Sequence, residues 1–379
     1  MQTPIGRSLS APAASRRLGS GWLSGTVALF LGLVSLGAVL CVRYPALLTM
    51  PELRELYPLA SIRAAMHVVM IVAFALGLVN IMLGRHAALG GAAMACVLAA
   101  VLLGGWKVEP VGELTSGVYL GLDWFLLNLI AFSVVWIPIE RLWGRLTDQA
   151  VFREEWKVDL FYFFLSGLAI QFLAYVTLKP AMTLFENTDW RLLHEWVESQ
   201  WLPLQFLEIM IVTDLVQYGV HYAFHRVPFL WRFHAVHHCA ANMDWLAGSR
   251  LHLLDMLTVR ATTAIPMIML GFADTAVYAY LSWVTFQATL AHANVRWNFG
   301  PLKYVLTTPQ FHHWHHAADQ EGIDKNFAIH LPMIDKVFGT FYLPEGKWPT
   351  AYGIAPDPVP KGFFKQFLYP FFPRALERK

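Results

Sequence analysis

The chain contains 379 residues, of which 56% are hydrophobic and only 14% are charged, whereas a soluble globular protein usually carries about 25% charged residues. This composition favours an integral membrane protein. The net charge of +2 and the lack of a dense basic run argue against a nucleic-acid partner, and the three cysteines are too few and too scattered for a disulfide framework.

Eight apolar runs approach the length needed to cross the hydrocarbon core, which is about 20 mostly apolar residues. The last two are the weakest, because Arg260 interrupts one of them and the loop between them is very short, so this pair can also form a re-entrant hairpin. The sequence therefore predicts an all-α membrane bundle of about eight transmembrane or re-entrant helices, near residues 22–41, 63–84, 87–105, 117–138, 157–178, 201–223, 256–272 and 275–293.

Basic residues near the ends of these runs predict the orientation of the bundle, because Lys and Arg are enriched in short cytoplasmic loops. With eight alternating crossings, both termini and the basic flanks fall on one side, including Arg141 and Arg145 after the fourth run and Arg226 after the sixth. We expect that side to be the cytoplasm and segment 180–200 to face the opposite side. The more polar residues after 293 should form a helical cap on the cytoplasmic side.

Histidines are unevenly distributed along the chain. Three precede residue 221, and twelve lie between residues 221 and 330. We therefore divide the chain near residue 112 into N-terminal transmembrane helices of unknown role, residues 1–112, and a C-terminal domain that carries the chemistry, residues 113–379, with its motif core at 205–345.

The C-terminal histidines recur at spacings that place them on one face of a helix, where residues three and four apart are neighbours. The sixth run ends with Asp214, Tyr218, His221 and His225 at spacings of four, three and four. The segments RFHAVHHC and TTPQFHHWHH each contain a His-x-x-His-His pattern, and a single histidine closes the eighth run. All lie at or beyond the cytoplasmic ends of predicted helices and can converge on one site: His221, His225, His234, His237, His238, His292, His312, His315 and His316.

A single histidine in an apolar stretch is usually structural, but that interpretation weakens for so large a set. Crowded imidazoles without ligands would leave polar nitrogens unsatisfied near hydrocarbon, which costs free energy. Neutral imidazole is a common ligand of iron, copper and zinc. A structural zinc site takes four ligands and usually includes cysteine, so eight or nine histidines fit two ions better. At the bilayer surface, a dinuclear site of this kind suits iron that activates dioxygen.

Further residues of this region receive other roles. Ligating imidazoles usually donate their second N–H to a carboxylate or a carbonyl, and Asp214, on the same helical face as His221, is the predicted acceptor. His313 projects about 100° from His312 on a helix and is not expected to bind metal. His330 is expected to be structural.

The order His-x-x-x-His, His-x-x-His-His, single His and His-x-x-His-His resembles the fatty acid hydroxylase and sterol desaturase superfamily. The resemblance covers roughly residues 205–345, and the stretches GPLKYVLTTPQFHHWHH and IDKNFAIHLPMIDKVFGTFY look particularly similar to the pterin-dependent alkylglycerol monooxygenases. Members are integral membrane non-haem di-iron oxygenases. The resemblance therefore implies two iron ions bound by the eight motif histidines, with His292 as a ninth candidate. His252 occupies a place where the family often has a histidine.

We therefore expect a membrane-bound di-iron monooxygenase that uses O2 to hydroxylate a C–H bond of an acyl, alkyl-ether, sterol or other isoprenoid lipid. No G-x-G-x-x-G fingerprint of a flavin or nicotinamide site occurs in the sequence, so an electron-donor protein or a reduced pterin should supply the electrons. A lipid desaturase with the same di-iron site is the nearest alternative. A histidine-rich membrane metal transporter is the alternative from another class. The expected location is a bacterial inner membrane with the site on the cytoplasmic side.

Overall fold

The computed structural model describes residues 3–11, 15–16, 19–56, 58–112, 119–168, 170–354, 356 and 359–372. These residues are mainly helical. An isolated antiparallel β-bridge joins Ala317 and Tyr352. The α-helices are α1 (Pro4–Leu9), α2 (Trp22–Arg43), α3 (Pro45–Leu48), α4 (Pro51–Leu56), α5 (Leu59–Leu83), α6 (Ala87–Leu102), α7 (Leu122–Trp143), α8 (Trp156–Leu168), α9 (Ile170–Glu186), α10 (Arg191–Glu198), α11 (Leu202–Arg226), α12 (Pro228–His238), α13 (Leu253–Met269), α14 (Asp274–His292), α15 (Pro309–His315), α16 (Pro332–Phe338) and α17 (Phe363–Leu368). Short 3-10 helices lie at Gly105–Lys107, Ala247–Ser249, Gly300–Tyr304 and Gln320–Gly322.

The chain divides into two compact units. The first contains residues 1–134, 150–153 and 167–171, and the second contains residues 135–149, 154–166 and 172–379. The division between them thus falls within α7. The domain boundary predicted near residue 112 lies beside residues 113–118, which are outside the described residues, and it stays a prediction.

In the first unit, α2, α5 and α6 approach one another closely through small residues. A Cβ atom on Gly32 would lie 2.9 Å from the carbonyl oxygen of Ala93, so α2 and α6 are in contact there almost backbone to backbone. Asn80 of α5 is fully buried, donates to the carbonyl of Gly21 and accepts from the backbone N–H of Gly90. These bonds satisfy a buried amide and hold the three helices in register.

The second unit is built around α11, against which α12, α13 and α14 pack. The buried face of α11 carries Thr213, Asp214, Tyr218 and His221. α11 ends one residue after His225, α14 ends at His292, and α12 and α15 carry the two His-x-x-His-His motifs. The ends of these helices place all the histidine motifs in this unit.

Four helices are long and apolar enough to cross a membrane: Trp22–Arg43, Leu59–Leu83, Ala87–Lys107 and Leu122–Trp143. They correspond to the first four predicted runs. The fifth run is divided between α8 and α9, and the seventh forms α13, which has 17 residues. α11 and α14 are long enough to cross a membrane. They are not among the candidate spans in the described part of the chain, because polar residues lower their average hydropathy. The eight crossings and the cytoplasmic cap stay predictions.

Candidate metal centre

Nine histidines of the second unit form two groups, and the ring nitrogens within each group lie within 4.8 Å of one another. Eight of the nine are buried and one, His225, is half-buried. They are the same nine residues that the sequence predicts to converge. The five-histidine group consists of His221, His225, His234, His238 and His315, and the four-histidine group consists of His237, His292, His312 and His316.

Each His-x-x-His-His motif contributes to both groups. α12 gives its first and last motif histidines to the five-histidine group and its middle one, His237, to the four-histidine group. α15 does the reverse, since only its middle motif histidine, His315, belongs to the five-histidine group. The adjacent histidines of a motif point about 100° apart around a helix. Each motif therefore supplies histidines to both groups. The spacing alone does not show which histidine belongs to which group.

Local sequence determines where the two motif helices begin. The hydroxyl of Thr308 accepts a hydrogen bond from the backbone N–H of Phe311, and Pro309 occupies the first position of α15. Pro228 likewise begins α12 directly after Val227, which has an extended backbone. Proline suits this position because its missing N–H would have no partner within the helix. These starts set the angular positions of the motif histidines.

Backbone carbonyl groups orient several of the imidazoles from outside the groups. A carbonyl oxygen only accepts hydrogen bonds, so the ring Nδ1 that faces it must donate, and Nε2 of the neutral ring is then left with a lone pair. This arrangement is found at four histidines, which are given with their carbonyl partners and Nδ1–O distances: His221 with Phe327 (2.7 Å), His237 with Arg250 (3.0 Å), His292 with Ala288 (2.7 Å) and His315 with Lys325 (2.8 Å).

In the four-histidine group, Nε2 atoms with lone pairs consequently face each other. The Nε2 atoms of His237 and His292 are 3.3 Å apart, and those of His292 and His312 are 3.0 Å apart. Because His237 and His292 both donate through Nδ1, no hydrogen lies between their Nε2 atoms when the rings are neutral. Two nitrogens that each lie about 2.1 Å from one metal ion are roughly 3.0–3.4 Å apart. The spacing therefore fits a metal ion bound by this group.

The five-histidine group fits a metal ion on similar grounds. The Nε2 atom of His234 lies 3.0 Å from that of His221 and 3.2 Å from that of His238. The Nε2 atoms of His225 and His315 are buried without a hydrogen-bond partner, and leaving a buried polar atom unpaired is costly. An all-imidazole donor set suits iron, copper, zinc or nickel, and a bound ion would satisfy these nitrogens.

Asp255 is a candidate functional residue that the sequence patterns did not indicate. Its side chain is 2% exposed, and its carboxylate oxygen lies 2.7 Å from Nδ1 of His234. A carboxylate in this position orients a ligating imidazole and makes it a stronger ligand. Asp255 lies in the first turn of α13, where no periodic pattern connects it with the histidine motifs.

Asp214 occupies a different position from the one that the sequence predicts. Its carboxylate accepts hydrogen bonds from the backbone N–H groups of Ile329, His330 and Leu331. The ring of His221, two turns further along α11, instead directs Nδ1 at the carbonyl of Phe327. Asp214 thus holds the segment that carries the Phe327 carbonyl. Among the described residues, the Asp214 carboxylate makes no hydrogen bond to an imidazole.

Arg250 supports the carbonyl that accepts from His237. Its side chain is 1% exposed, its Nη1 lies 2.9 Å from Glu155, and its Nε donates to Asp159. Loss of this guanidinium would remove a charged partner of the buried Asp159 carboxylate, which is destabilising. Arg250 therefore fixes the loop between α12 and α13 behind the four-histidine group.

Three other histidines near the motifs lie outside both groups. Each ring is engaged in hydrogen bonds elsewhere, and His252 also caps α13. His313 bonds to the Tyr352 hydroxyl and the His292 carbonyl. His252 accepts from the Leu254 N–H and bonds to the Phe367 carbonyl. His330 bonds to the side chains of Gln287 and Tyr280.

The fatty acid hydroxylase family model matches residues 206–340, a span that contains all nine histidines of the two groups. Over residues 206–340 the chain is therefore similar to fatty acid hydroxylases. The match confirms the resemblance that the order and spacing of the histidine motifs indicated.

Named relatives of the chain act on lipids. The ornithine lipid hydroxylase OlsE of Rhizobium tropici is 32% identical over 179 residues, which cover 47% of this chain and 54% of the relative. Human alkylglycerol monooxygenase is 28% identical over 229 residues, covering 60% and 48%. The very-long-chain aldehyde decarbonylase GL1-1 of Oryza sativa subsp. indica is 25% identical over 178 residues, covering 44% and 28%. The chain thus spans about half the length, or less, of these relatives, and no solved structure matches it.

The protonation of the buried histidines predicts how the stability of the metal-free protein depends on pH. Burial lowers the pKa of His312 and His316 well below 6.5, with neighbouring imidazoles adding to the effect, and burial lowers the pKa of His315 to about 3. In the unfolded chain the same rings have a pKa of about 6.5 and bind protons below it. Unfolding therefore takes up protons, and the stability should decrease as the pH falls from about 6.5 towards 3. Chemical unfolding of metal-stripped protein in detergent should show a lower midpoint at pH 5 than at pH 8, whereas an unchanged or higher midpoint would contradict a buried neutral site.

Proposed function

We propose that this protein is a membrane-bound di-iron monooxygenase that hydroxylates a C–H bond of a lipid with O2. The observation that carries the proposal is the set of nine imidazoles, which form two compact groups with ring nitrogens within 4.8 Å of one another. Facing Nε2 atoms 3.0–3.3 Å apart in both groups support metal binding. The fatty acid hydroxylase domain and the lipid-acting relatives support iron as the metal and a lipid as the substrate.

The residues of this chain hold and orient the site. His221, His225, His234, His238 and His315 would bind one iron ion, and His237, His292, His312 and His316 the other. Iron bound there would supply the activation of O2 and the oxidation of the C–H bond. Asp255 and four backbone carbonyls fix five of the rings through Nδ1, which keeps the Nε2 of these rings available as a ligand. The five are His221, His234, His237, His292 and His315. Burial of the rings excludes water from the site.

The substrate, the electron donor and the location belong to the same proposal. The relatives act on an ornithine lipid and on alkylglycerols, so we propose a membrane lipid that reaches the site from the bilayer. Two electrons per turnover would come from outside the chain, from a redox protein or a reduced pterin. The four candidate spans support a membrane location, for which we propose a bacterial inner membrane with the metal centre at the cytoplasmic surface.

A metal transporter would be expected to place its ligands at several depths along a path through the membrane. Here the nitrogens are concentrated in two compact groups of one unit, with carbonyl or carboxylate partners behind several of the rings. This arrangement favours a resident cofactor over a transported ion.

The test combines metal analysis with comparative lipid mass spectrometry. Purified protein should contain about two iron ions per chain. Cells that express it should contain a lipid heavier by one oxygen atom, and cells with an equal amount of His315→Ala protein should lack this product. A product lighter by two hydrogen atoms would instead establish the desaturase. Transport of metal without any lipid change would overturn the proposal.

A further inference from the structure

The exposed surface of α11 is apolar over most of its length. The helix follows Trp201, which is 76% exposed, and its first exposed charged residue is Arg226, at the other end. Of its polar residues, Gln205, Thr213 and Asp214 are buried, whereas Glu208 and Gln217 are half-buried. This distribution is the reverse of that of a helix in water. The side chains between 38% and 46% exposed along this helix are Leu202, Leu204, Leu207, Ile211 and Leu215.

The exposed surface of α14 also lacks charge over most of its length. Asp274, in its first turn, is followed by no exposed charged residue in this helix, and Tyr278 and Leu281 are 66% and 43% exposed. The hydroxyls of Ser282 and Thr285 donate to carbonyls one turn earlier in the same helix. Because these hydroxyls have partners within the helix, the exposed surface of α14 needs no water to satisfy them.

α10 is attached to the ends of these helices that lie away from the histidines. Val197 is buried and packs in one cluster with Ile209 of α11 and Phe272, which precedes α14. The Nε2 atom of His194 lies 3.0 Å from the carbonyl oxygen of Met269, at the C-terminal end of α13. These contacts fix one side of α10 to the protein.

The free side of α10 is amphipathic. Leu192 and Trp196, one turn apart, are 78% and 61% exposed, whereas the exposed Glu195 and Glu198 lie on a different edge of the helix. The flanking Trp190 is 44% exposed. Several large aromatic and aliphatic side chains are therefore exposed together at this end of the second unit.

The lengths of the helices match the thickness of a bilayer. α11 contains 25 residues and α14 contains 19, so at 1.5 Å per residue they are about 38 and 29 Å long. The hydrocarbon core is about 30 Å thick. α11 leads from Trp201 to His225, and α14 ends at His292. The exposed tryptophans and the histidine groups are thus about one hydrocarbon thickness apart.

We propose that α10, with Trp190 and Trp201, is an interfacial anchor that lies among the lipid headgroups of one leaflet. In this arrangement α11 and α14 cross the hydrocarbon, and the histidine groups lie at the opposite membrane surface. Tryptophan is enriched at membrane interfaces, and an amphipathic helix lies in that layer with its apolar side towards the acyl chains. Average hydropathy misses the crossing by α11 because it averages buried polar residues with the exposed apolar ones, and it misses the crossing by α14 because it counts hydroxyl side chains that are bonded within the helix. The inference does not depend on which metal binds or which reaction follows.

Spin labels on single introduced cysteines can test this placement. Labels replace Leu192, Trp196 and Leu215, with Glu195 as the matched control on the polar edge of α10. Cys41 and Cys239 are buried and Cys96 is partly buried, so the parent carries Cys96→Ala and should take up no label. Collisions with O2, which concentrates in hydrocarbon, and with a water-soluble nickel complex are measured in vesicles of phosphatidylcholine and phosphatidylglycerol. Size-exclusion chromatography checks that each variant is folded.

The label at position 215 should collide several-fold more often with O2 than with nickel, and the label at position 195 should show the reverse. Labels at 192 and 196 should give intermediate ratios, as expected at headgroup depth. Dominant nickel collisions at 215 would overturn the crossing by α11. Ratios at 192 and 196 equal to those at 195 or at 215, or labels shielded from both reagents, would overturn the interfacial anchor.

Discussion

His315→Ala should lose most of the metal of the five-histidine group and essentially all of the proposed hydroxylase activity, whereas His313→Ala should retain most of both. The Nε2 atom of His315 is buried without a hydrogen-bond partner, and Nδ1 faces the carbonyl of Lys325, so the ring is held with one nitrogen available to a metal. Changes to partners behind a ligand typically cost 10–100-fold in metal affinity. Loss of the ligand itself should cost roughly 100-fold or more.

His313 is the matched control because it lies on the same helix and is equally buried. Its ring bonds to the hydroxyl of Tyr352 and to the carbonyl of His292, so alanine should cost stability without opening a coordination position. The measurements are metal per chain by elemental analysis and lipid product by mass spectrometry, on protein that elutes as a folded species. Equal metal loss in the two variants would show that the grouping of the α15 histidines is wrong.

The sequence predicted the part of the fold in which helices are apolar on all sides. α2, α5 and α6 carry long apolar runs, and all three are among the candidate spans. α11 was also recognised as a helix, but its relation to the membrane depends on which residues face the protein. Gln205 and Asp214 lower its average hydropathy although both are buried. That distinction appears only when exposed and buried faces are separated.

The sequence also predicted which histidines come together, because spacings of three and four place side chains on one face of a helix. It could not divide them into two groups, since His237 and His238 are adjacent yet belong to different ones. Nor could it identify the hydrogen-bond acceptors. Carbonyl groups such as those of Arg250 and Lys325 belong to the backbone, which every residue has, and their positions follow from tertiary structure alone.

Asp255→Asn and Asp214→Asn should separate metal affinity from stability. Asp255 accepts from Nδ1 of His234, and an amide is a weaker acceptor than a carboxylate, so the ring becomes a poorer ligand. We expect the affinity of the five-histidine group for metal to fall roughly 10–100-fold, the usual effect of changing a partner behind a ligand. Titration of metal-free protein with Co²⁺ against a chelator of known affinity measures this change.

Asp214→Asn should act on stability instead. Its carboxylate accepts three backbone N–H groups from residues 329–331, and an amide offers a single acceptor oxygen. At least one buried N–H should lose its partner, at a cost of about 1–3 kcal/mol, seen as a lower unfolding midpoint in both metal-free and metal-bound protein. Metal affinity of the folded fraction should remain close to that of the parent, because Asp214 reaches His221 only through the segment that carries the Phe327 carbonyl. If Asp214→Asn weakens Co²⁺ binding more than Asp255→Asn does, Asp214 supports the ligands more directly than its hydrogen bonds indicate, as the sequence first suggested.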